Sequence, residues 1–164
     1  MRKIIEFIVN LLLRVRASLS PKKVKEIPLK EYKDYISKEY DINLFKEINY
    51  YRQSKGLAFV ESAPENVINI VGEHADWLAD VVFSKEDLKI FGHWNNYNRF
   101  EQIKLRTSNK AKCGEVVAYG YAHPKSVVYA WDSSPGHKEV LNGNFNYVAV
   151  ASEGKCVVAV FYKL

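Results

Sequence analysis

The sequence has little of what the specialised protein classes require. Only two of its 164 residues are cysteine, which excludes a disulfide-rich scaffold. Eight glycines and five prolines are too few for a fibrous or low-complexity chain. No apolar run reaches the ~20 residues that a membrane-spanning helix requires. What remains is a chain with 48% hydrophobic and 26% charged residues, the composition of a globular domain with one core.

The net positive charge of +5 is confined to the start of the chain. Residues 1–25 contain seven lysines and arginines and one acidic residue, a net charge of +6. Residues 26–164 therefore carry 17 basic and 18 acidic residues, a net charge of −1. A nearly neutral body disfavours nucleic-acid binding, because such domains concentrate cations on one face. The basic segment alone suits an acidic surface, either of lipid headgroups or of another protein.

Residues 4–19 have the periodicity of an amphipathic helix, with apolar residues recurring at steps of three and four. A secretory signal peptide is the competing interpretation. Glu6 interrupts the apolar region, and Arg14 and Arg16 precede the small residues of a cleavage site, so the sequence predicts no clean cleavable signal. We expect residues 1–25 to be a basic amphipathic helix and linker that attach to a membrane surface or to a larger protein assembly. The alternative is a helix that packs on its own domain.

Residues 26–164 predict one domain of helices and short strands. The predicted helices cover residues 29–55, 64–82 and 124–142, the last one broken at Ser134-Pro135-Gly136. The predicted strands cover residues 57–60, 115–121, 147–151 and 155–162, and the last two form a hairpin. Residues 84–112 have no clear period and predict an irregular segment. This order of elements predicts an α+β fold with helices packed over a small antiparallel sheet.

Two histidines and one glutamate form the candidate site. His93 lies in the irregular segment, Glu115 opens a predicted strand, and His137 follows Ser-Pro-Gly at a helix start. Two imidazoles and a carboxylate are ligand types that zinc accepts, with a fourth position left to water. The same groups can instead bind a carboxylate or a sugar hydroxyl through hydrogen bonds. The spacing of 22 residues on each side of Glu115 does not say whether the three meet.

Five short motifs follow one another along residues 43–164. They are Asn49 to Arg52 with Gly56-Leu57 (pattern N-x-x-R…G-L), His74 to Ala79 (HADWLA, similar to H-x-x-x-M-A), Phe91 to His93 (FGH, similar to F-S-H), Gly114 to Ala118 (GEVVA, similar to G-E-N-I-A) and Trp131 to His137 (WDSSPGH, pattern W-x-x-S-P-G-H). In this order they resemble the CAP superfamily of cysteine-rich secretory, antigen five and pathogenesis-related proteins, and most closely its short bacterial SCP-like domains. The terminal pair of strands is similar to the final hairpin of that family.

The resemblance implies a three-layer α-β-α sandwich of CAP type with a central cleft. It implies that His93, Glu115 and His137 line this cleft, with Ser134 and Trp94 beside them. It also implies a divalent metal, usually zinc, on His93 and His137, with Glu115 as a further ligand.

The sequence departs from the family in one ligand. The second glutamate of the family's site has no counterpart here, and Ser134 or Asp132 stands near its place. His74 belongs to the helix motif, and we interpret it as a packed, hydrogen-bonded residue. The resemblance implies an extracellular or cell-envelope location, with a virion as the alternative.

Three functions remain open at this point. The first is a binding module whose cleft holds a divalent metal or a small polar ligand. The second is an accessory component of a particle such as a phage virion, with a vestigial cleft. The third is a metal-assisted hydrolase in which His93 or His137 is the general base and Glu115 orients it or acts through a metal-bound water. The sequence assigns no catalytic residue and leaves open whether the protein is an enzyme.

Cys113 and Cys156 each lie in or beside a predicted strand. A bridge between them would suit an oxidising compartment. The alternative is a pair of reduced, buried cysteines that pack as small apolar residues. Among the aromatic residues, Trp94 and Tyr97 neighbour His93 in sequence and are candidates for a wall of the cleft.

Overall fold

The computed structural model describes residues 29–84 and 92–164. The helix predicted over residues 4–19 lies outside the described residues, as does Phe91 of the third motif. In chain order the elements are α1 (Leu29–Ser54), β1 (Glu61–Ser62), α2 (Glu65–Ser84), α3 (Asn96–Arg106), β2 (Lys112–Tyr119), α4 (Pro124–Ser133), α5 (Pro135–Leu141), β3 (Tyr147–Glu153) and β4 (Cys156–Lys163).

The four strands form one sheet in the order β1-β3-β4-β2. Strand β4 pairs antiparallel with both β3 and β2, whereas the two-residue β1 runs parallel to β3. The sheet is therefore mixed, and it is antiparallel apart from β1. The predicted hairpin is confirmed, because Glu153 pairs with Cys156 and Gly154 takes a φ of 61° in the turn between them. Strand β2 lies at one edge of the sheet, a position that shapes the candidate site.

Helices cover both faces of the sheet. Side chains alternate in direction along a strand, so each face presents its own row of apolar residues. One face packs against α1, α4 and α5 through a cluster that includes Leu44, Ile48, Val116, Trp131, Leu141 and Phe161. The other face packs against α2 and α3 through Val67, Val71, Leu78, Ile103, Val117 and Val158. The predicted α+β class and the α-β-α layering are both confirmed.

The N-x-x-R motif ties α1 to the chain around it. The Asn49 side chain donates to the Val60 carbonyl at 3.0 Å and accepts from the Val60 N–H at 2.9 Å. Arg52 is 2% exposed and donates to the carbonyls of Ala58, Leu141 and Gly143 at 2.8, 2.7 and 3.0 Å. These bonds satisfy backbone groups that would otherwise be buried without partners, so the motif has a structural role.

Two of the predicted elements were wrong. The strand predicted over residues 57–60 is absent, and β1 starts at Glu61 instead. The backbone of Val60 bonds the Asn49 side chain rather than a neighbouring strand. The segment predicted as irregular over residues 84–112 contains α3. This helix buries little beyond Arg99 and Ile103, so its apolar period is too weak to detect.

The break between α4 and α5 falls where the sequence predicts it. Ser134 has an extended backbone, with φ −103° and ψ 119°, because the residue before a proline is disfavoured in the helical conformation. Pro135 then begins α5. Within residues 29–84 and 92–164, none of the helices combines the length and the apolar character needed to cross a bilayer.

The two cysteines are free and lie at opposite ends of the ladder between β2 and β4. Cys113 pairs with Tyr162, whereas Cys156 pairs with Tyr119. Six strand residues separate the two positions by about 20 Å, beyond the roughly 7 Å that a disulfide spans between Cα atoms. Of the two alternatives, the bridge is therefore wrong and the reduced pair is the one observed.

Candidate functional site

A cavity of about 310 Å³ lies beside the edge strand β2, and we call it the histidine cavity. Its lining residues are His93, Asn96, Phe100, Gly114, Glu115, Ser134, Gly136 and His137. The residues from 93 to 100 belong to the start of α3 and the turn before it, on one face of the sheet. Those from 134 to 137 belong to the junction of α4 and α5, on the other face. The two groups meet because, among residues 29–84 and 92–164, no further strand pairs with this edge of the sheet.

The two predicted imidazoles are neighbours across this cavity. The ring centroids of His93 and His137 are 5.7 Å apart, with the ring planes inclined at 50°. Glu115 lies on β2 between the two layers that carry them. The structure therefore brings together the three residues that were predicted from distant parts of the sequence, and Ser134 with them.

Glu115 is the buried anchor of the site. Its side chain is 1% exposed, and its two oxygens accept three hydrogen bonds. Arg99 donates twice, from Nε to Oε2 and from Nη2 to Oε1, both at 2.7 Å, and His93 Nδ1 lies 3.0 Å from Oε1. Burial alone would raise the pKa of Glu115, but the hydrogen bonds from His93 and Arg99 and the charge of Arg99 outweigh it and hold the pKa below its ordinary value.

The charge of Glu115 determines the tautomer of His93. An ionised carboxylate only accepts hydrogen bonds, so the proton of the bond between the two residues sits on His93 Nδ1. In the neutral ring, Nε2 is then an acceptor. This nitrogen has no hydrogen-bond partner among the described residues, and the His93 side chain is 43% exposed. The site thus presents one oriented imidazole nitrogen with a free lone pair.

Two side chains hold the turn that carries His93 by donating hydrogen bonds to its backbone carbonyls. His74 Nε2 donates to the Gly92 carbonyl at 2.9 Å, and Arg99 Nη1 donates to the Trp94 carbonyl at 2.6 Å. Gly92 has a φ of 120°, a conformation that a residue with a side chain rarely adopts. Asn95 completes the turn with a φ of 58°. Arg99 therefore positions His93 twice, through Glu115 and through the turn.

His137 is the half-buried wall opposite His93. Burial lowers its pKa, and the neighbouring His93 lowers it further. Burial, followed by the charge of Arg99, also lowers the pKa of His74. His137 is therefore neutral at pH 7, and the charges of Arg99 and Glu115 compensate each other.

The donor set does not fit a zinc ion. Zinc sites need three or four ligands from His, Cys, Asp and Glu. In the described part of the chain, no group of three or more such side chains is arranged to hold a metal ion. Glu115, the predicted third ligand, already accepts two hydrogen bonds from Arg99 and one from His93. His93 and His137 alone remain, which is fewer than a stable zinc site requires.

Trp94 lies next to the cavity in sequence but is not among the residues that line it. Its side chain is 59% exposed, and its ring lies 6.4 Å from that of Trp77. Tyr97, the other aromatic candidate, is 75% exposed and does not line the cavity either. Phe100, which was not predicted, supplies the aromatic wall instead.

Arg99 and Asn96 are the important residues that sequence reasoning missed. One signal for Arg99 was available. A glutamate in a strand covered on both faces must be buried, and a buried carboxylate needs a cation. Residues 84–112 hold several lysines and arginines, so the identity of that cation depended on where α3 begins. Asn96 carried no comparable signal.

The comparisons with known proteins concern the fold. The sequence matches no protein-family model. It also matches none of the curated proteins. Its structure is similar to that of an extracellular protein containing a SCP domain from Bacillus anthracis, with a TM-score of 0.66 and 16% identity over 87% of this chain and 45% of that one.

Two further structures are similar to it. A cysteine-rich secretory protein from Staphylococcus aureus has a TM-score of 0.63 and 13% identity, covering 88% of this chain and 44% of that one. An outer surface protein from Borrelia burgdorferi has a TM-score of 0.56 and 19% identity, covering 77% of this chain and 94% of that one. This chain thus spans about half the length of the first two. These likenesses show that the chain has the fold of an SCP domain.

Proposed function

We propose that this chain is a ligand-binding module whose histidine cavity takes a small polar ligand through a hydroxyl or carboxyl group. The observation that carries the proposal is the bond between His93 Nδ1 and the buried Glu115 at 3.0 Å, which leaves Nε2 of His93 as an oriented acceptor. His137, Asn96 and Ser134 line the same cavity and supply further donors and acceptors. A ligand hydroxyl is the simplest group that an imidazole acceptor recognises.

The test is a titration followed by the imidazole signals in NMR spectra. N-acetylglucosamine serves as the hydroxyl probe, which donates to His93 Nε2. Acetate serves as the carboxylate probe, which only accepts hydrogen bonds and so needs a donor such as the Ser134 hydroxyl or an N–H of His137. We expect at least one of them to shift the His93 and His137 signals saturably, and His137→Gln to weaken that binding. His123→Gln is the matched control, because His123 is exposed and does not line the cavity. Probes that leave both imidazole signals unmoved would contradict the proposal.

Zinc is the competing ligand, predicted from the resemblance. Among the described residues, no third metal-ligating side chain is arranged with His93 and His137 to hold an ion, which argues for a polar ligand rather than zinc. Calorimetric titration with zinc should therefore give equal heats for the wild type and for the His93→Ala/His137→Ala variant. A heat that disappears in the double variant would favour the metal instead.

A hydrolase is the second candidate function. It is favoured by the same pair, since a carboxylate that orients an imidazole is the arrangement of a general base. Peptide, ester and glycan substrates should then be turned over. Glu115→Gln should abolish turnover under conditions in which circular dichroism shows the variant to be folded, whereas Glu101→Gln should retain it. Absence of turnover by the wild type on all three substrate classes would leave binding as the function.

We also propose that residues 1–25 attach the domain to a membrane surface or to a protein assembly. Their net charge of +6 and the apolar periodicity of residues 4–19 support this. The full chain should sediment with vesicles that contain anionic lipid, and a chain without residues 1–25 should not. Leu11→Asp interrupts the apolar stripe and should also reduce sedimentation, whereas unchanged sedimentation of both variants would contradict the proposal. Attachment to a protein assembly would instead appear as co-purification that the deletion abolishes.

The proposed location is outside the cytoplasm or at the cell envelope. It is supported by the descriptions of two similar structures as an extracellular and an outer surface protein. Fractionation of cells that express the full chain checks it, and recovery in the cytoplasmic fraction alone would contradict it.

A further inference from the structure

A second cavity, of about 400 Å³, lies where β2 begins and β4 ends, and we call it the lysine cavity. Three of its lining residues are lysines, Lys110, Lys112 and Lys163. Cys113, Asn144 and Phe145 also line it. It shares no lining residue with the histidine cavity. Ligand binding at the lysine cavity is therefore independent of the function proposed for the histidine cavity.

Two of the lysines lie directly opposite each other on neighbouring strands, on the same face of the sheet. Lys112 and Lys163 are direct partners in the antiparallel ladder between β2 and β4. Their Cβ atoms are therefore about 5 Å apart, and like charges at this distance destabilise a strand pair. Lys110 precedes Lys112 by two residues and adds a third ammonium group to the same cavity. A pairing that costs stability in the free protein indicates a site that an anion completes.

No ion pair among the described residues offsets the charge of these lysines. Glu101, whose charge acts on Cys113, is already paired with Lys104 at 2.8 Å. Burial raises the pKa of Cys113 to about 11, so its thiol is uncharged at neutral pH.

We infer that the lysine cavity binds the phosphate group of a small molecule. A phosphate presents several oxygens and close to two negative charges, which matches a cluster of lysines better than a single carboxylate does. The Asn144 side chain lines the same cavity and is a further donor. Phe145, whose ring lies 5.8 Å from that of Phe161, gives the cavity one apolar wall for the organic part of the ligand.

The test uses pyrophosphate as the soluble probe and the full chain as the protein. Calorimetry at constant ionic strength should show saturable binding by the wild type. The Lys112→Gln/Lys163→Gln variant should bind about tenfold or more weakly, because two charge-assisted contacts are lost. The control variant Lys125→Gln/Lys155→Gln makes the same charge change at exposed positions away from the cavity and should bind as the wild type does.

Two further measurements keep the result interpretable. Pyrophosphate should raise the thermal midpoint of the wild type but not that of the Lys112→Gln/Lys163→Gln variant. Circular dichroism checks that this variant is folded. If it is not, the single variant Lys110→Gln takes its place in both measurements. A second arm uses phosphatidylcholine vesicles with and without phosphatidate, and it compares the proteins in a Leu11→Asp background, in which the vesicle binding proposed for residues 1–25 is reduced. Pyrophosphate binding alone identifies a soluble phosphate compound, and vesicle binding that only the cavity variant loses identifies a lipid headgroup; either result supports the phosphate site. Equal affinities of all three proteins, or an equal loss in the control variant, would overturn the inference.

Discussion

Arg99 and Glu115 form a two-point ion pair in which each carboxylate oxygen accepts from one guanidinium nitrogen at 2.7 Å. The side chains are 9% and 1% exposed, so the pair is nearly removed from water. It has two consequences for the site. It neutralises the carboxylate that was predicted as a metal ligand, and it fixes the Glu115 side chain that accepts from His93. The same pair joins α3 to β2 and so has a structural role as well.

We predict that Glu115→Gln destabilises the domain strongly. The substitution leaves the buried Arg99 charge without compensation, which costs about 3 kcal/mol in the free energy of unfolding. Chemical denaturation measures it. The matched control is Glu101→Gln, which breaks the half-exposed pair with Lys104 and should cost about 0.5 kcal/mol or less. Similar losses in the two variants would show that burial does not decide the strength of the Arg99 pair.

A second prediction concerns acid pH and His74. The folded-state pKa of His74 lies below its ordinary value of 6.5, mainly because the ring is buried. The unfolded chain therefore binds more protons below pH 6.5, and stability falls as the pH falls through that value. His74→Gln should make this decline smaller, as measured by denaturation between pH 7 and pH 5. The exposed His123→Gln should keep the wild-type slope, and an identical slope in the His74 variant would refute the prediction.

A third prediction has the opposite sign. Burial raises the pKa of Asp41 to about 7, although the Ser152 hydroxyl donates to its Oδ1 at 2.6 Å and partly opposes the shift. The folded chain binds more protons between the ordinary value of 3.8 and about 7, so stability falls as the pH rises through this window. Asp41→Asn should therefore gain stability relative to the wild type on going from pH 5 to pH 8. The exposed Asp80→Asn is the control, and a constant difference between variant and wild type would be incompatible with this view.

A fourth prediction tests the N-x-x-R motif. Arg52→Lys should cost about 2 kcal/mol in the free energy of unfolding, because a lysine does not reach three carbonyls in the geometry of the guanidinium fork. Arg106→Lys, at an exposed site in α3, should change stability by about 0.5 kcal/mol or less. Denaturation with urea compares the two. A tolerated lysine at position 52 would mean that water replaces the lost bonds.

The fifth prediction is that both cysteines remain reduced and react slowly. Burial raises the pKa of each thiol to about 11, and Cys156 is 1% exposed. Because the thiolate is the reactive form, a disulfide reagent at pH 8 should modify the native protein far more slowly than the unfolded protein. Intact mass with and without reductant should be the same. A native mass lower by two hydrogens would show a bridge and contradict the strand register.

Sequence periodicity was most reliable where one helix face meets a core. In α2 the predicted residues Val67, Val71, His74 and Leu78 are all buried, because a single stripe at helical spacing packs on the sheet. The terminal hairpin was predictable for a similar reason, since a short turn joins two strands that are adjacent in sequence. Periodicity failed in α3, whose two buried residues are the apolar Ile103 and the charged Arg99, so that the helix shows no clear apolar stripe in the sequence.

By itself the sequence determined the faces of its helices, the hairpin, the break at Pro135 and the residue types of the site, because each of these depends on neighbours a few positions apart. Only the tertiary structure decided that His93 and His137 meet around an edge strand, and that Arg99 forms an ion pair with the carboxylate of Glu115. Those contacts join residues from different layers of the fold. Their energies depend on burial and distance in space, which a one-dimensional pattern does not contain.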